Sequence, residues 1–223
     1  MTEQENVKKV RGIWFPEKDT HFKGVMTNEN DYQLDRLKYA MKFIDEPKVF
    51  YDIGAHVGLW SLMALRRGFK KVFAYEPNQE TFNCYKLNLK GYNNVQSFNY
   101  GVSNVRDQWM RVDYESKNNT GAVTLGSCEK GDSSANAVVA PIDGGHLYDL
   151  IDELQLKVHQ TLVKIDTEGM EAQCVLGMEK HIYALRPVMI VEQRSNEDAI
   201  EILQKMGMKI EKCLKKDYIL TWR

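Results

Sequence analysis

The chain has 223 residues, 43% hydrophobic and 27% charged, the proportions of a globular protein able to bury a core within one α/β domain. Thirty basic against thirty-one acidic residues leave a formal charge of −1, so no global field draws in a polyanion such as DNA or RNA. No apolar run approaches the ~20 residues that span a bilayer, and the polar stretch Met1 to Lys9 lacks a signal-peptide core, which makes the cytoplasm the default expectation.

Residues 1–30 carry Trp14, Phe15, Pro16 and His21 among many charges and read as an arm, either extended or a short hairpin laid over the body. A helical pattern follows, with Leu34, Leu37, Ala40, Met41 and Ile44 at three- and four-residue steps, Asp31 placed as its cap and Pro47 as its stop. Apolar runs then alternate with helical patterns: strand 49–53, helix 58–67, strand 71–75, helix 78–90, strand 95–102. This rhythm predicts a parallel sheet with right-handed crossovers. Residues 104–146 interrupt it, with a hairpin expected at 109–114 and 121–126 and a polar loop from Glu129 to Asn136; an interruption of that length in a compact domain is commonly functional. The rhythm resumes with helix 148–154, strand 161–165, helix 171–185, strand 187–192 and helix 196–206. The closing runs 208–214 and 217–222 are joined too tightly for a parallel crossover and predict an antiparallel hairpin. The expected architecture is seven strands, mostly parallel, in one α/β domain over 31–223. Cys84, Cys128, Cys174 and Cys213 are far apart and read as buried free thiols.

The first strand ends Tyr51-Asp52-Ile53-Gly54-Ala55-His56-Val57-Gly58 and the second ends Ala74-Tyr75-Glu76-Pro77. A backbone passing close to a ligand at a strand end needs a position without a side chain, which Gly54 supplies. Gly58 can open the next helix, whose N-terminus favours negative charge. Glu76, about twenty residues beyond the first glycine, is placed to accept both hydroxyls of a ribose. Three residues separate the glycines, with His56 where the middle glycine of G-x-G-x-x-G would stand, which argues against a dinucleotide. The competing reading makes Asp52 a turn cap and Glu76 a solvated strand end.

With Val163-Lys164-Ile165-Asp166-Thr167-Glu168-Gly169-Met170-Glu171 added, the chain resembles the FkbM-type methyltransferases from about residue 49 to residue 192, and the D-x-E-G-x-E motif is the most discriminating part. The resemblance implies a Rossmann-like three-layer sandwich and S-adenosylmethionine as methyl donor. It implies that Asp52, Gly54 and Gly58, with Ala55 and His56 between them, line the methionine end of that cofactor. It further implies that Glu76 holds the ribose, that Gly101 and Val102 lie near the adenine, and that Asp166 borders the same crevice. The sequence departs from the family at His56, where Asn is common, and at Ser103-Asn104, where an Asp is common.

Methyl transfer is an in-line displacement driven mainly by positioning, and a base taking the proton of a hydroxyl acceptor adds roughly 10²–10⁴-fold. Asp166 at its strand end is the first candidate base and His146, beside the variable insertion, the second. His56 suits packing or cofactor contact; His21, His159 and His181 read as surface residues. Glu171 divides between function and a helix N-terminus, Lys164 reads as a strand residue with its ammonium reaching outward, and Trp14, Trp60 and Trp109 read as packing. No metal is called for, since Asp166 and Glu168 alone do not make a site. There is no N/D-P-P-Y/F sequence, Pro-Cys nucleophile or G-x-x-x-x-G-K-[ST] loop. The missing motifs and the near-neutral charge disfavour nucleic acid, and the resemblance implies an acceptor hydroxyl on a sugar, glycan or small metabolite. Its pocket would draw on segments 10–30 and 104–146, including Trp14, His21, Tyr114, Asn118 and Asn119. A binding module that keeps the fold without catalysis is the alternative.

Overall fold

The computed structural model describes residues 6–22, 32–114, 119–129, 131–142, 145–193 and 198–222, with the side chains of Gly145 and His146 excepted. The expected cap Asp31 lies outside them.

The arm forms a hairpin, β1 (Val7–Val10) and β2 (Ile13–Pro16), paired antiparallel. Its two-residue turn, Arg11 and Gly12, takes positive φ at both positions (50° and 92°), the twist that a tight hairpin needs. Ile13 and Phe15 are buried against Val57, Leu59, Tyr85 and Leu89. Asn88 fastens the hairpin, its Oδ1 accepting from Trp14 N (2.7 Å) and its Nδ2 donating to the carbonyls of Trp14 (3.0 Å) and Val57 (2.8 Å).

A short helix, α1 (Leu34–Ala40), tightens into a 3₁₀ turn at Met41–Phe43. The main sheet is built from β3 (Val49–Ile53), β4 (Lys71–Tyr75), β5 (Val95–Phe98), β10 (Thr161–Ile165), β11 (Val188–Glu192), β12 (Lys209–Leu214) and β13 (Asp217–Thr221). Its order is β12-β13-β11-β10-β3-β4-β5, and only β13 runs antiparallel to its neighbours. The crossovers are α2 (Leu59–Arg66), α3 (Gln79–Leu89), the pair α5 (Glu171–Gly177) and α6 (Glu179–Leu185), and α7 (Ala199–Lys205). The predicted single helix 171–185 breaks at Met178, whose backbone (φ −117°, ψ 18°) leaves the helical region.

Both faces of the sheet are covered, so β3 and β10 are buried along their whole length, the pattern of a parallel sheet between helices. One face, carrying Tyr51, Ile53, Val163, Ile165 and Val191, meets α5, α6, α7 and α4 (Gly145–Leu154). The other, carrying Phe50, Leu162, Val188, Ile190 and Ile219, meets α1 and α2. This parity decides where the polar residues point.

Residues expected to continue strand 95–102 leave the main sheet after Phe98, where Asn99 Nδ2 donates to the carbonyls of Glu76 (2.9 Å) and Pro77 (3.2 Å). The chain re-forms as β6 (Gly101–Val102) in a second sheet with β7 (Gln108–Tyr114), β8 (Val123–Ser127) and β9 (Ala137–Ala140), in the order β6-β9-β7-β8. The expected hairpin is β7–β8, and β9 and β6 extend it beyond the expectation into a four-stranded sheet. Cys84 and Cys174 are buried, but Cys128 is half-buried and Cys213 exposed, because β12 is an edge strand with an open outer face. Among the described residues no helix is long and apolar enough to cross a membrane.

Candidate functional site

The chain runs from β3 outward through β4 to β5 and later returns to build β10 and β11 on the other side of β3. The reversal between β3 and β10 opens a crevice at the carboxyl ends of the strands, where open α/β sheets bind ligands. A cavity of about 270 Å³ occupies it, near the lower end of the roughly 300–1,000 Å³ of small-molecule sites. Glu192, Asp166, Gly54 and Glu76 line it from the ends of β11, β10, β3 and β4, four neighbouring strands. At ~4.8 Å per strand its base spans about 14 Å.

Glu76 is 8% exposed, which excludes the solvated-strand-end reading. Its Oε1 accepts from Asn78 N (2.9 Å) and Thr81 Oγ1 (3.0 Å), and its Oε2 from His56 N (2.8 Å). Burial raises the carboxyl above its ordinary range while these donors and Lys164 oppose the shift. Two donors on Oε1 and one on Oε2 leave Oε2 with the spare acceptor capacity. Beside Glu76, Pro77, Gly101, Val102, Val123 and Leu125 supply an apolar wall.

Gly54 has φ +74°, and a Cβ there would lie 1.9 Å from the carbonyl oxygen of Asp166. The glycine thus lets the ends of β3 and β10 abut, as well as lining the cavity with Ala55 and His56. Gly58 opens α2 as expected, at φ +91°, but it lies outside the cavity lining, and the space of its missing side chain belongs to Leu89 and Tyr85.

Asp52 is not in the crevice either. It shares the parity of Phe50 and is wholly buried beneath α2, where Ser61 Oγ donates to its Oδ2 (2.6 Å) and Tyr85 Oη donates to Ser61 Oγ (2.9 Å). Lys164 stands opposite Asp52 in the β3–β10 register. Its expected outward course is overturned: it is 4% exposed, because its parity is that of Leu162, which faces the α1–α2 layer. Lys164 Nζ donates to Gly54 O (2.8 Å) and lies 3.4 Å from Asp166 Oδ2 and 3.9 Å from Asp52 Oδ1. Burial presses the ammonium toward deprotonation, but Asp166 and Asp52 outweigh it and leave the pKa raised. Desolvation lifts the Asp52 carboxyl, with Lys164 and Ser61 opposing.

Asp166 does face the cavity, with Glu168 beside it at φ +54°. Glu171 is buried and braces that turn, its carboxylate accepting from Thr167 N (2.8 Å), Thr167 Oγ1 (3.0 Å) and Gly169 N (3.2 Å), so its structural reading holds. His146 is the second residue of α4, and its side chain lies outside the described residues. His21 is exposed at the cavity, whereas His181 is buried edge-on to Tyr51 and His159 is half-buried, contrary to the surface reading, because each sits beneath neighbouring chain. Trp60 is buried in the α2 layer and donates to Gln33 Oε1 (2.8 Å); Trp109 is 44% exposed on the second sheet and does not act as packing. Of the expected pocket residues, His21 and Asn119 line the cavity while Trp14 and Tyr114 do not, and Asn118 lies outside the described residues.

The family profile described as Methyltransferase FkbM domain matches residues 52–219. The chain belongs to the FkbM methyltransferase family. Solved structures it is similar to include the FkbM methyltransferase of Methylobacillus flagellatus KT (16% identity, TM-score 0.45), covering 90% of this chain and 46% of that one. This chain therefore spans about half of that protein's length. Others are the ribosomal protein L11 methylase of Lactobacillus delbrueckii subsp. bulgaricus (12% identity, 96% of both chains, TM-score 0.47), and a putative tRNA (m1A22) methyltransferase of Streptococcus pneumoniae in complex with S-adenosyl-L-methionine (14% identity, 84% of this chain and 70% of that one, TM-score 0.43). No curated protein matches the chain.

Glu192, the last residue of β11, also lines the cavity of this family member. It stands level with Asp166 by continuation of the β10–β11 register and opposite Asp217 on β13. Burial, then Asp166, Asp217 and Glu168, push its carboxyl up to about 8 against the pull of Lys164; Asp217 itself is held by Arg36 Nε at 2.9 Å. A carboxyl raised in the folded state contributes stability that is complete below its ordinary pKa, near 4.5, and is lost as pH climbs through about 8. Glu192→Gln has no charge to develop. It should match the wild type at pH 5 and exceed it by about 1–2 kcal/mol at pH 9, after discount for partial exposure. Urea unfolding at the two pH values measures this, and equal differences at both would remove the like-charge cluster.

Proposed function

We propose that this chain transfers a methyl group from S-adenosylmethionine to a hydroxyl of a sugar, glycan or small metabolite, within a single domain over 31–223. The carrying observation is Glu76, a buried carboxylate with spare acceptor capacity on Oε2 at the cavity edge. The lining fits the cofactor by its chemistry: Glu76 would take the ribose hydroxyls, the wall of Pro77, Gly101, Val102, Val123 and Leu125 suits the adenine, and Asp166, Glu168 and Glu192 favour the positively charged sulfonium and ammonium end. When bound, that cofactor supplies an electrophilic methyl carbon.

Asp166, the first residue of the D-x-E-G turn and a lining residue of the cavity, is proposed to hold the acceptor beside the transfer point, with Lys164 fixing its carboxylate. The concentration of carboxylates there disfavours a phosphate-bearing acceptor, in keeping with a formal charge of −1. The preference for a hydroxyl rests on the family resemblance.

Titration calorimetry with S-adenosylmethionine, S-adenosylhomocysteine and NAD tests the reading; absence of heat with both sulfur compounds ends it. Glu76→Ala should weaken binding by about 1–3 kcal/mol through loss of charge-assisted bonds, with a thermal melt alongside because three internal donors also lose their acceptor. Asp166→Asn should keep the cofactor yet lose turnover, measured by methyl-labelled cofactor incubated with cell extract. A wild type that binds the cofactor and labels nothing would support the binding-module alternative.

A further inference from the structure

The cofactor turn carries one polar connection that neither the family match nor the methyl-transfer reading uses. His56 has φ +51°, a left-handed backbone that is unfavourable for a residue with a side chain. In that conformation its N–H reaches Glu76 Oε2 at 2.8 Å, so the ribose carboxylate is oriented by a strained residue. The imidazole is anchored at its far side: Nε2 lies 2.9 Å from Thr120 Oγ1, and Thr120 Oγ1 in turn makes a short hydrogen bond to Asp19 Oδ2. Asp19 and Thr120 are 1% and 2% exposed. Asp19 Oδ2 also accepts from Thr120 N (3.1 Å) and its Oδ1 from Phe22 N (3.1 Å). Phe22 lies against the imidazole with ring centroids 5.0 Å apart.

Counting donors fixes the protons. A carboxylate already accepting two backbone N–H groups acts as acceptor toward the Thr120 hydroxyl, and that hydroxyl has a single proton to give. His56 Nε2 must therefore carry a proton and donate it to Thr120 Oγ1, which leaves Nδ1 as the acceptor nitrogen. Burial, moderated by Asp19 and reinforced by Lys164, lowers the imidazole to about 4, so the ring is neutral at neutral pH and this single tautomer is the form present.

We propose that Asp19 and Thr120 are positioning residues of the ribose corner, holding His56 in its Nε2–H form so that its amide orients Glu76 and its ring offers the ligand an acceptor. Asp19 lies outside the matched span of 52–219 and Thr120 within it, between β7 and β8, so a residue beyond the matched span takes part in the site. The proposal rests on the reading of this cavity as the S-adenosylmethionine site.

The test uses the full chain and S-adenosylhomocysteine as probe. Thr120→Val keeps shape and removes the hydroxyl; its dissociation constant should rise about tenfold, and Thr120→Ser should return to within about twofold of wild type. In parallel, ¹⁵N imidazole spectra of the ligand-free wild type should show His56 protonated at Nε2, with a mixture of tautomers in Thr120→Val. A Thr120→Val variant that melts like wild type and binds within twofold of it overturns the proposal, as does an Nδ1–H tautomer in the wild type. A wild type that fails to bind S-adenosylhomocysteine counts against the cofactor reading, and the spectra then decide the tautomer by themselves.

Discussion

Gly54→Ala is expected to lose about 2–5 kcal/mol of stability and to bind S-adenosylhomocysteine too weakly to measure. Two costs add. An L-residue at φ +74° bears about 1–2 kcal/mol against the left-handed region. The new methyl must also displace the Asp166 carbonyl, 1.9 Å from where the Cβ would stand, and overpacking of this kind costs about 1–3 kcal/mol. The obstacle is backbone, not the tip of a flexible side chain, which places the loss toward the upper end. Relief would require β10 to move away from β3, dragging Asp166 and Thr167 from the cavity edge and opening the 2.8 Å bond from Lys164 Nζ to Gly54 O. Denaturant unfolding gives the first quantity and calorimetry the second. A variant within 1 kcal/mol of wild type would mean the two strand ends are not in contact. Gly58→Ala distinguishes the two glycines, because the nearest atoms to its Cβ are side-chain atoms of Leu89 and Tyr85 and not the backbone of β10. Its loss should fall on stability, with cofactor affinity largely kept.

How far the sequence carried the reading follows from the range of each interaction. The strands and their mostly parallel direction were legible because the crossover patterns lie close to their strands in sequence, and the tight link at Lys215–Lys216 admitted only a hairpin. Glu76 was legible for the same reason: its separation from Gly54 is fixed inside one βαβ unit. Asp52 was misplaced because the sequence showed it at a strand end without showing which face α2 would cover. Period-2 alternation with Phe50 was the available signal, and it also pairs Lys164 with Leu162. Glu192 needed the register of two strands that meet only in the fold, β11 with β10 and with β13. The contacts of Thr120 with Asp19 and His56 join positions 101 and 64 residues apart, with no local pattern to announce them. Local periodicity thus located the crevice, while residues that tune its charge and anchor the strained turn at His56 are set by pairings between distant segments.

Lys164→Met should cost about 3–4 kcal/mol at pH 7, most of it from Asp52. That carboxylate is wholly buried, keeps one hydrogen bond from Ser61, and has its other oxygen facing the ammonium at 3.9 Å with no hydrogen-bond partner among the described residues. Removing one member of a buried ion pair leaves a charge without compensation, typically 3–5 kcal/mol. The protein can escape by protonating Asp52, and forcing a proton onto a carboxyl of ordinary pKa 3.8 at pH 7 costs about 4 kcal/mol, which caps the loss. The pH dependence follows from that escape. Asp52 is already raised by burial in the wild type, and loss of Lys164 raises it further. The deficit of the variant is therefore largest at neutral pH and above, and shrinks as pH falls toward the ordinary carboxyl range, where the unfolded chain is protonated too. Adding Asp52→Asn removes the charge that needs compensating, so the double variant should recover at least half of the loss at pH 7. Unfolding curves for the four proteins of this cycle at pH 5 and pH 7 supply the coupling. A pH-independent cost, or no recovery in the double variant, would assign the role of Lys164 to its bond with Gly54 O and its contact with Asp166 instead of to Asp52.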